Sequence, residues 1–179
     1  MSLPPNIILV GFMGSGKTVT GKIVSEILNL QFWDMDEWIE KITDEKIPDL
    51  FETKGEAFFR RKEEEAILWL SDKRNYVVST GGGAWIQEKN RKVLLESGWC
   101  VWLRVSVDDV WKRVGNRLKQ RPILSNSKNP IQTVESLLEE RSPYYSLAHT
   151  SLDTSGKNPQ QVAFEVVRIF KEIKPFGIT

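Results

Sequence analysis

The sequence contains almost no cysteine or histidine, with one of each among 179 residues. A single cysteine, Cys100, cannot form an intramolecular disulfide, but a chain of this length can bury a sufficient core without one. The run around it, residues 99–103, is apolar and predicts a buried, inert thiol. His149, the only histidine, is predicted to be structural.

The sequence also lacks a charge excess and a long apolar run. It has 25 basic and 24 acidic residues, a formal net charge of +1, which provides no overall field for nucleic acid or an anionic membrane. No segment approaches the ~20 apolar residues that span a bilayer. Residues 1–5 have neither the charged start nor the apolar stretch of a signal peptide. We therefore expect a cytoplasmic protein that binds neither nucleic acid nor membrane.

Short apolar runs alternate with longer amphipathic ones, and this pattern predicts one α/β domain with a parallel sheet covered on both faces. Strands are predicted at 6–10, 30–33, 76–79, 99–105 and 148–152. Helices are predicted at 17–30, over most of 35–72 with breaks near Pro48 and Gly55, and at 131–141 and 159–173. Ser106 begins a capping box that opens a further helix. The basic, proline-containing stretch 112–129 is predicted to be a mobile loop.

Residues 11–18 read Gly-Phe-Met-Gly-Ser-Gly-Lys-Thr and follow the first strand directly. This is the P-loop pattern, in which glycines let successive backbone N–H groups point at phosphate oxygens. The helix that follows adds the positive end of its dipole. Lys17 supplies a charge for the β and γ phosphates, and the Thr18 hydroxyl can reach Mg²⁺. The sequence therefore predicts nucleotide binding.

Several further motifs follow the P-loop in a fixed order, and together they make the chain resemble the shikimate kinases. The resemblance covers nearly the whole chain. The motifs are Asp34-Met-Asp36, Phe59-Arg60-Arg61 with Glu63, Gly81-Gly-Gly-Ala84, Arg121-Pro-Ile-Leu124, Arg141-Ser-Pro-Tyr-Tyr145 and Asp153-Thr-Ser-Gly-Lys-Asn-Pro159. The resemblance implies ATP-dependent phosphorylation of the 3-hydroxyl of shikimate, with ATP and Mg²⁺ bound.

The resemblance also implies an architecture, a three-layer α/β/α fold with a five-stranded parallel sheet in the nucleoside-monophosphate-kinase order. Residues 1–179 would form a single P-loop kinase domain. Within it, residues of about 34–62 would form a substrate-binding insertion and those of about 112–125 a lid. We expect small-molecule partners, shikimate and ATP, and a monomer.

The resemblance implies roles in metal and acceptor binding for two aspartates and two arginines. Asp34 would order Mg²⁺ through water, and Asp36 would bind the substrate hydroxyls and act as the candidate base. Arg60 and Arg141 would hold the substrate carboxylate, since a planar guanidinium meets a carboxylate with paired hydrogen bonds. Glu63 could hold one of these arginines in place.

A glycine run, residues 81–83, stands where other P-loop proteins have their Walker B acid, and Ser79 fits that departure. The backbone at Gly82 could approach the substrate ring because no Cβ intervenes. A plain strand-to-helix turn is the alternative interpretation of this run.

The nucleotide side is implied to comprise the P-loop, a lid arginine and one lysine. These residues are Gly14, Ser15, Gly16, Lys17, Thr18, Val19, Arg121 and Lys157. Arg121 would join Lys17 as a catalytic residue by adding positive charge around the transferred phosphoryl group. Arg113 could lie against the adenine, although its spacing from Arg121 is about one residue longer than the family pattern. Trp69, Trp99 and Trp102 are predicted to lie in the core.

Two other functions remain open at this point. Another small kinase of this fold, such as a gluconate kinase, would share the P-loop and the lid without needing Asp36, Arg60 and Arg141. A non-catalytic nucleotide-binding protein could retain the fold alone, although every catalytic position named above is intact.

Overall fold

The computed structural model describes residues 6–114, 122–125 and 127–173, along which strands and helices alternate. The strands are β1 (Asn6–Val10), β2 (Gln31–Asp34), β3 (Tyr76–Ser79), β4 (Gly98–Arg104) and β5 (Thr150–Asp153). The helices are α1 (Lys17–Leu28), α2 (Met35–Thr43), α3 (Ile47–Thr53), α4 (Gly55–Ser71), α5 (Glu88–Ser97), α6 (Val107–Val114), α7 (Pro122–Ser125), α8 (Pro130–Tyr145) and α9 (Pro159–Ile173). A short 3-10 helix covers Ala84–Ile86.

The five strands form one parallel sheet in the order β2-β3-β1-β4-β5. This arrangement confirms the predicted fold class, a three-layer α/β domain of the nucleoside-monophosphate-kinase type. The strand order reverses at β1, so the loop after β1 begins at the switch point where ligands bind in open parallel sheets.

Both faces of the sheet are buried, which explains why β1 is apolar at nearly every position. Ile7 and Leu9 belong to a buried cluster that includes side chains of α1 and α9. Ile8 and Val10 point to the opposite face and belong to a cluster with α4, α5 and α8. The P-loop therefore starts from a strand that is fixed from both sides.

The helical stretch after β2 is divided at two places, as predicted. Its first break covers residues 44–46, just before Pro48, and Asp44 there has a left-handed conformation. Pro48 lies in the first turn of α3, where its missing N–H has no helical partner to lose. The second break is at Lys54, next to the predicted Gly55.

Other boundaries shift by a few residues. Helix α8 is longer than predicted, and β5 begins and ends later than the predicted strand at 148–152. Within the stretch predicted as a mobile loop, α6 extends to Val114 and α7 covers Pro122–Ser125. Residues 115–121 lie outside the described part of the chain.

Among the described residues, no helix combines the length and apolarity that a transmembrane span requires.

The three tryptophans predicted to be in the core do not share one environment. Trp99 is buried, and Trp102 is partly buried and packs against the core. Trp69 is 36% exposed, so its prediction was wrong. Trp69 stacks on Trp33 with 5.5 Å between ring centroids, and this packing leaves its outer face in solvent. His149 accepts a hydrogen bond at Nδ1 from the backbone N–H of Cys100, a structural contact in agreement with its prediction.

Candidate active site

The carboxyl ends of β1, β2 and β3 meet at one edge of the sheet and open into a cavity of about 600 Å³. The P-loop forms one wall of this cavity, and Asp36 and Ser79 lie on another side. Thr154 and Lys157, from the segment after β5, complete it. Parallel topology thus brings residues from distant parts of the sequence to a single site.

The P-loop conformation depends on its glycines. Gly14 has φ +75°, and a Cβ at this position would lie 2.8 Å from Cγ2 of Val114 on α6. Helix α1 begins at Lys17, directly after Gly16. The Lys17 ammonium donates to the carbonyls of Gly11 and Phe12, at 2.8 and 2.9 Å. The loop, the lysine and a helix N-terminus therefore face one space, as anion binding requires.

Three oxygen-bearing side chains meet beside the P-loop. The Thr18 hydroxyl donates to Oδ2 of Asp34 at 2.8 Å and lies 3.2 Å from Oγ of Ser79. Asp34 and Ser79 are opposite each other in register, each as the last residue of its strand. Hydroxyl and carboxylate oxygens suit Mg²⁺, which typically takes one or two protein ligands and completes its shell with water and phosphate. Among the described residues, no group of three or more His, Cys, Asp or Glu side chains is arranged so that it could hold a metal ion.

Asp34 and Asp36 differ in role because α2 begins between them. Oδ1 of Asp34 accepts from the backbone N–H groups of Asp36 and Glu37, at 3.0 and 3.3 Å, so Asp34 is the N-cap. Asp34 thus ends the extended strand, whereas Asp36 lies in the first helical turn. From there Asp36 lines both the large cavity and a smaller one next to it.

The smaller cavity has charged and glycine-rich walls. Its polar lining comes from Asp36, Arg60, Glu63 and Arg141, and residues 81–83 form another side. The apolar part of the lining includes Phe51 and Phe59. Met13, Asp36 and Gly82 line both cavities, so the two spaces adjoin. The structure thus brings together Asp36, Arg60, Gly82 and Arg141, which the sequence analysis connected with the acceptor.

Arg60 is held by two carboxylates of α4. Its Nη1 donates to Oε2 of Glu63 at 2.7 Å, while Nε and Nη2 donate to Oε1 of Glu56 at 3.1 and 2.7 Å. Glu63 is fully buried, and this burial raises its pKa to about 7 even though Arg60 favours the ionised form. The predicted support of an arginine by Glu63 is present, whereas the contact with Glu56 was missed.

The glycine run has its tightest contacts on either side of Gly82. A Cβ at Gly81 would lie 2.6 Å from Oε1 of Glu63, and one at Gly83 would overlap Nη1 of Arg60. At Gly82 the nearest atom would be the backbone nitrogen of Met13 at 3.4 Å, an ordinary contact. The run therefore makes room for the Arg60–Glu63 pair, a requirement that the sequence did not reveal.

Arg141 enters the smaller cavity from α8. It is 9% exposed, and its guanidinium carbon lies 5.9 Å from the ring centroid of Phe12. One turn further along α8, the Tyr145 hydroxyl donates to the carbonyl of Gly82. Burial raises the pKa of Tyr145 to about 12, so this hydroxyl keeps its proton. Tyr145 thus ties α8 to the glycine run; only its place in a motif hinted at this role.

Three further nucleotide-side residues, Val19, Arg113 and Lys157, line the large cavity. Arg113 donates to the carbonyls of Gly14 and Thr154, at 3.0 and 3.2 Å, and so joins the P-loop to the segment after β5. Lys157 is paired with Glu165 at 2.7 and 2.9 Å. Arg121 lies outside the described residues.

Comparison with known proteins identifies one family. Residues 13–171 match the family model described as shikimate kinase. The chain is 42% identical over 166 residues to a shikimate kinase of a Sulfurihydrogenibium species, covering 93% of this chain and 98% of that protein. A Bartonella henselae shikimate kinase is 40% identical over 162 residues, with 90% and 76% of the two chains covered.

Solved structures agree with this relationship. The structure of shikimate kinase from Acinetobacter baumannii in complex with shikimate has a TM-score of 0.91 and 37% identity, over 96% of this chain and 95% of that one. A gluconokinase from Sinorhizobium meliloti has a TM-score of 0.61 at 19% identity, over 97% and 95% of the two chains, a likeness of fold alone.

Proposed function

The chain belongs to the shikimate kinase family, and we propose on that premise that it transfers the γ-phosphate of ATP to the 3-hydroxyl of shikimate. The product is shikimate 3-phosphate, and the reaction belongs to aromatic amino-acid biosynthesis. The enzyme is thus a phosphotransferase with an alcohol as acceptor, and it uses ATP with Mg²⁺.

The observation that carries this function is the position of Asp36 between two adjoining cavities. On one side the P-loop offers backbone N–H groups and Lys17 to phosphates. On the other side Arg60 and Arg141 supply two guanidinium groups, enough to bind and orient one carboxylate. A hydroxylated carboxylate in the smaller cavity would present its alcohol to Asp36 and to the phosphate side together.

We assign nucleotide binding to residues 14–19. Gly14, Ser15, Gly16, Lys17, Thr18 and Val19 would surround the phosphates and offer backbone N–H groups to their oxygens, with the charge of Lys17 on the β and γ phosphates. Thr18 would bind the metal directly, and Asp34, already joined to the Thr18 hydroxyl, would act through water. Mg²⁺ bound there neutralises charge that develops on the phosphates.

We assign acceptor binding to Asp36, Arg60, Gly82 and Arg141. The two arginines would fix the carboxylate, and the backbone of Gly82 would lie against the ring. The Asp36 carboxylate would accept the hydrogen bond of the attacking hydroxyl, which orients this oxygen and receives its proton. Phosphoryl transfer asks little covalent chemistry of the protein, so placement and charge account for most of the catalysis.

We further propose a single domain, with an acceptor-binding insertion at about 34–62 and a lid at about 112–125. Arg121 would approach the transferred phosphoryl group when the lid closes and would exclude water with it. Lys157 would flank the nucleotide base, and Arg113 would lie beside it. The near-neutral formal charge of +1 supports small molecules rather than nucleic acid as partners, and we propose a cytoplasmic monomer.

An ADP-release assay with shikimate and gluconate as separate acceptors tests this function. We expect Mg²⁺-dependent turnover with shikimate and none above background with gluconate. Turnover with gluconate alone would overturn the substrate assignment. ATP binding without turnover of any candidate alcohol would favour a non-catalytic nucleotide-binding protein.

A further inference from the structure

Glu56, in the first turn of α4, is bound to the arginine that faces the acceptor cavity. Both Nε and Nη2 of Arg60 donate to Oε1 of Glu56. The pair stands four residues apart on the helix, the spacing of an ordinary surface ion pair. It differs from such a pair in the position of its partner, because the side chain of Arg60 is only 18% exposed and lines the smaller cavity.

The two carboxylates of α4 use different edges of the Arg60 guanidinium. Glu56 occupies the edge formed by Nε and Nη2, and Glu63 binds Nη1. A guanidinium has five N–H donors, so one hydrogen on each terminal nitrogen remains for a further acceptor. These two nitrogens lie beside Gly83, where no Cβ obstructs them, and Gly83 lines the cavity.

Glu56 itself does not belong to the cavity lining, and its side chain is 58% exposed. It therefore reaches a bound molecule only through Arg60. Glu63 differs in being fully buried within the lining. Glu56 is thus the outer support of the guanidinium, and Glu63 is the inner one.

We propose that Glu56 is a positioning residue for acceptor recognition. By holding the Nε–Nη2 edge, it prevents the long arginine side chain from rotating and keeps the two terminal nitrogens directed at the acceptor carboxylate. Preorganisation of this kind lowers the entropy that binding must remove. The inference rests on the proposed function, because it requires Arg60 to bind the carboxylate of the acceptor.

An opposite role would make Glu56 a competitor that the substrate carboxylate has to displace. The two roles predict opposite changes in the acceptor Kd when Glu56 is replaced. Loss of a competitor would lower this Kd, and loss of a support would raise it. The geometry favours support, because Glu56 takes up Nε and only one hydrogen of Nη2, so that each terminal nitrogen beside Gly83 keeps one hydrogen for another acceptor.

The test compares Glu56→Gln and Glu56→Ala with Glu65→Gln. Glu65 is a matched control, because it is a half-exposed carboxylate on the same helix, paired with Lys62, which does not line the cavity. The measurements are the KM and kcat for shikimate, and the shikimate Kd by titration calorimetry. We expect both Glu56 variants to raise the shikimate KM and Kd, by about 5-fold for alanine, with kcat and the KM for ATP within about 2-fold of wild type.

Shikimate methyl ester supplies the second arm, because it lacks the carboxylate charge that Arg60 would recognise. The effect of the Glu56 substitutions should largely vanish with the ester as acceptor, while the wild-type enzyme binds the ester more weakly than shikimate. An equal loss with both acceptors would mean a general disturbance of α4 and would overturn the proposal. A fall in the shikimate KM would establish the competing role instead.

The outcomes for the two claims are separable. If wild type fails to phosphorylate shikimate, the proposed function itself is wrong. If wild type is active and the Glu56 variants match Glu65→Gln, only the positioning role is lost. Thermal melting of each variant shows whether it is folded, and Glu56→Gln keeps the size and oxygen of the side chain if the alanine variant is unstable.

Discussion

The Thr18 hydroxyl donates a hydrogen bond to Oδ2 of Asp34 at 2.8 Å, which joins the P-loop to the end of β2. The other oxygen of Asp34 caps α2. One carboxylate therefore connects the proposed metal ligand with the helix that carries Asp36. We infer that the metal site and the acceptor site are built as a single unit.

Replacement of Asp34 by asparagine tests the metal side of this unit. Asparagine can still cap α2, so the fold should persist, but it lacks the charge that attracts metal-bound water. We expect the Mg²⁺ concentration for half-maximal rate to rise about 10-fold or more. The Mg²⁺ concentration that supports half-maximal ADP binding should rise by a similar factor. Asp44→Asn, at the other end of α2, is the control and should behave as wild type. An unchanged Mg²⁺ requirement in Asp34→Asn would contradict the assignment.

Asp36→Asn tests the base. Loss of the carboxylate removes the group proposed to orient the hydroxyl and receive its proton, so turnover should fall by about 100-fold or more. Binding of ADP should stay close to wild type, as followed by calorimetry. Glu37→Gln, the adjacent exposed acid, controls for a general charge effect. Turnover near the wild-type level in Asp36→Asn would refute its catalytic role.

Gly83→Ala tests the close approach of the glycine run to Arg60. The new methyl group would overlap Nη1 of Arg60 and force the end of this flexible side chain to move. We expect the shikimate KM to rise about 10-fold, with the KM for ATP and the melting temperature little changed. A variant with normal shikimate affinity would show that Arg60 does not need its observed position.

The pH dependence of stability tests the environment of Glu63. Its pKa is raised to about 7 in the folded protein, chiefly by burial, from an ordinary value of 4.5. The contribution of Glu63 to stability is fully present below its unfolded pKa of 4.5 and is lost as the pH rises through the folded pKa of about 7. The loss occurs because the unfolded state ionises this carboxyl at a lower pH than the folded state does. Urea unfolding between pH 5 and 8 should therefore show wild type losing stability relative to Glu63→Gln as the pH rises. Parallel pH profiles for the two proteins would contradict the raised pKa.

The sequence predicted the sheet and the P-loop well because both follow from local patterns. An apolar strand, three glycines and an amphipathic helix determine the phosphate-binding loop without distant contacts. The convergence of Asp36, Arg60 and Arg141 followed from the resemblance, and the structure places them around one cavity.

What the sequence could not predict depends on packing between distant segments. The tight fit of Gly81 and Gly83 against Glu63 and Arg60 exists only because α4 lies beside the segment that follows β3. The exposure of Trp69 likewise depends on a distant residue, because its ring stacks on that of Trp33. Apolarity alone does not distinguish a core residue from one that covers the surface.

The most direct test of the central claim is the identity of the product. Purified enzyme, ATP, Mg²⁺ and shikimate should yield one phosphorylated product, and phosphorus–proton NMR correlation should place the phosphate on the 3-hydroxyl. The Asp36→Asn variant, run in parallel for the same time, should form this product more slowly, by about 100-fold or more. Phosphate on another hydroxyl, or no product from the wild-type enzyme, would contradict the account.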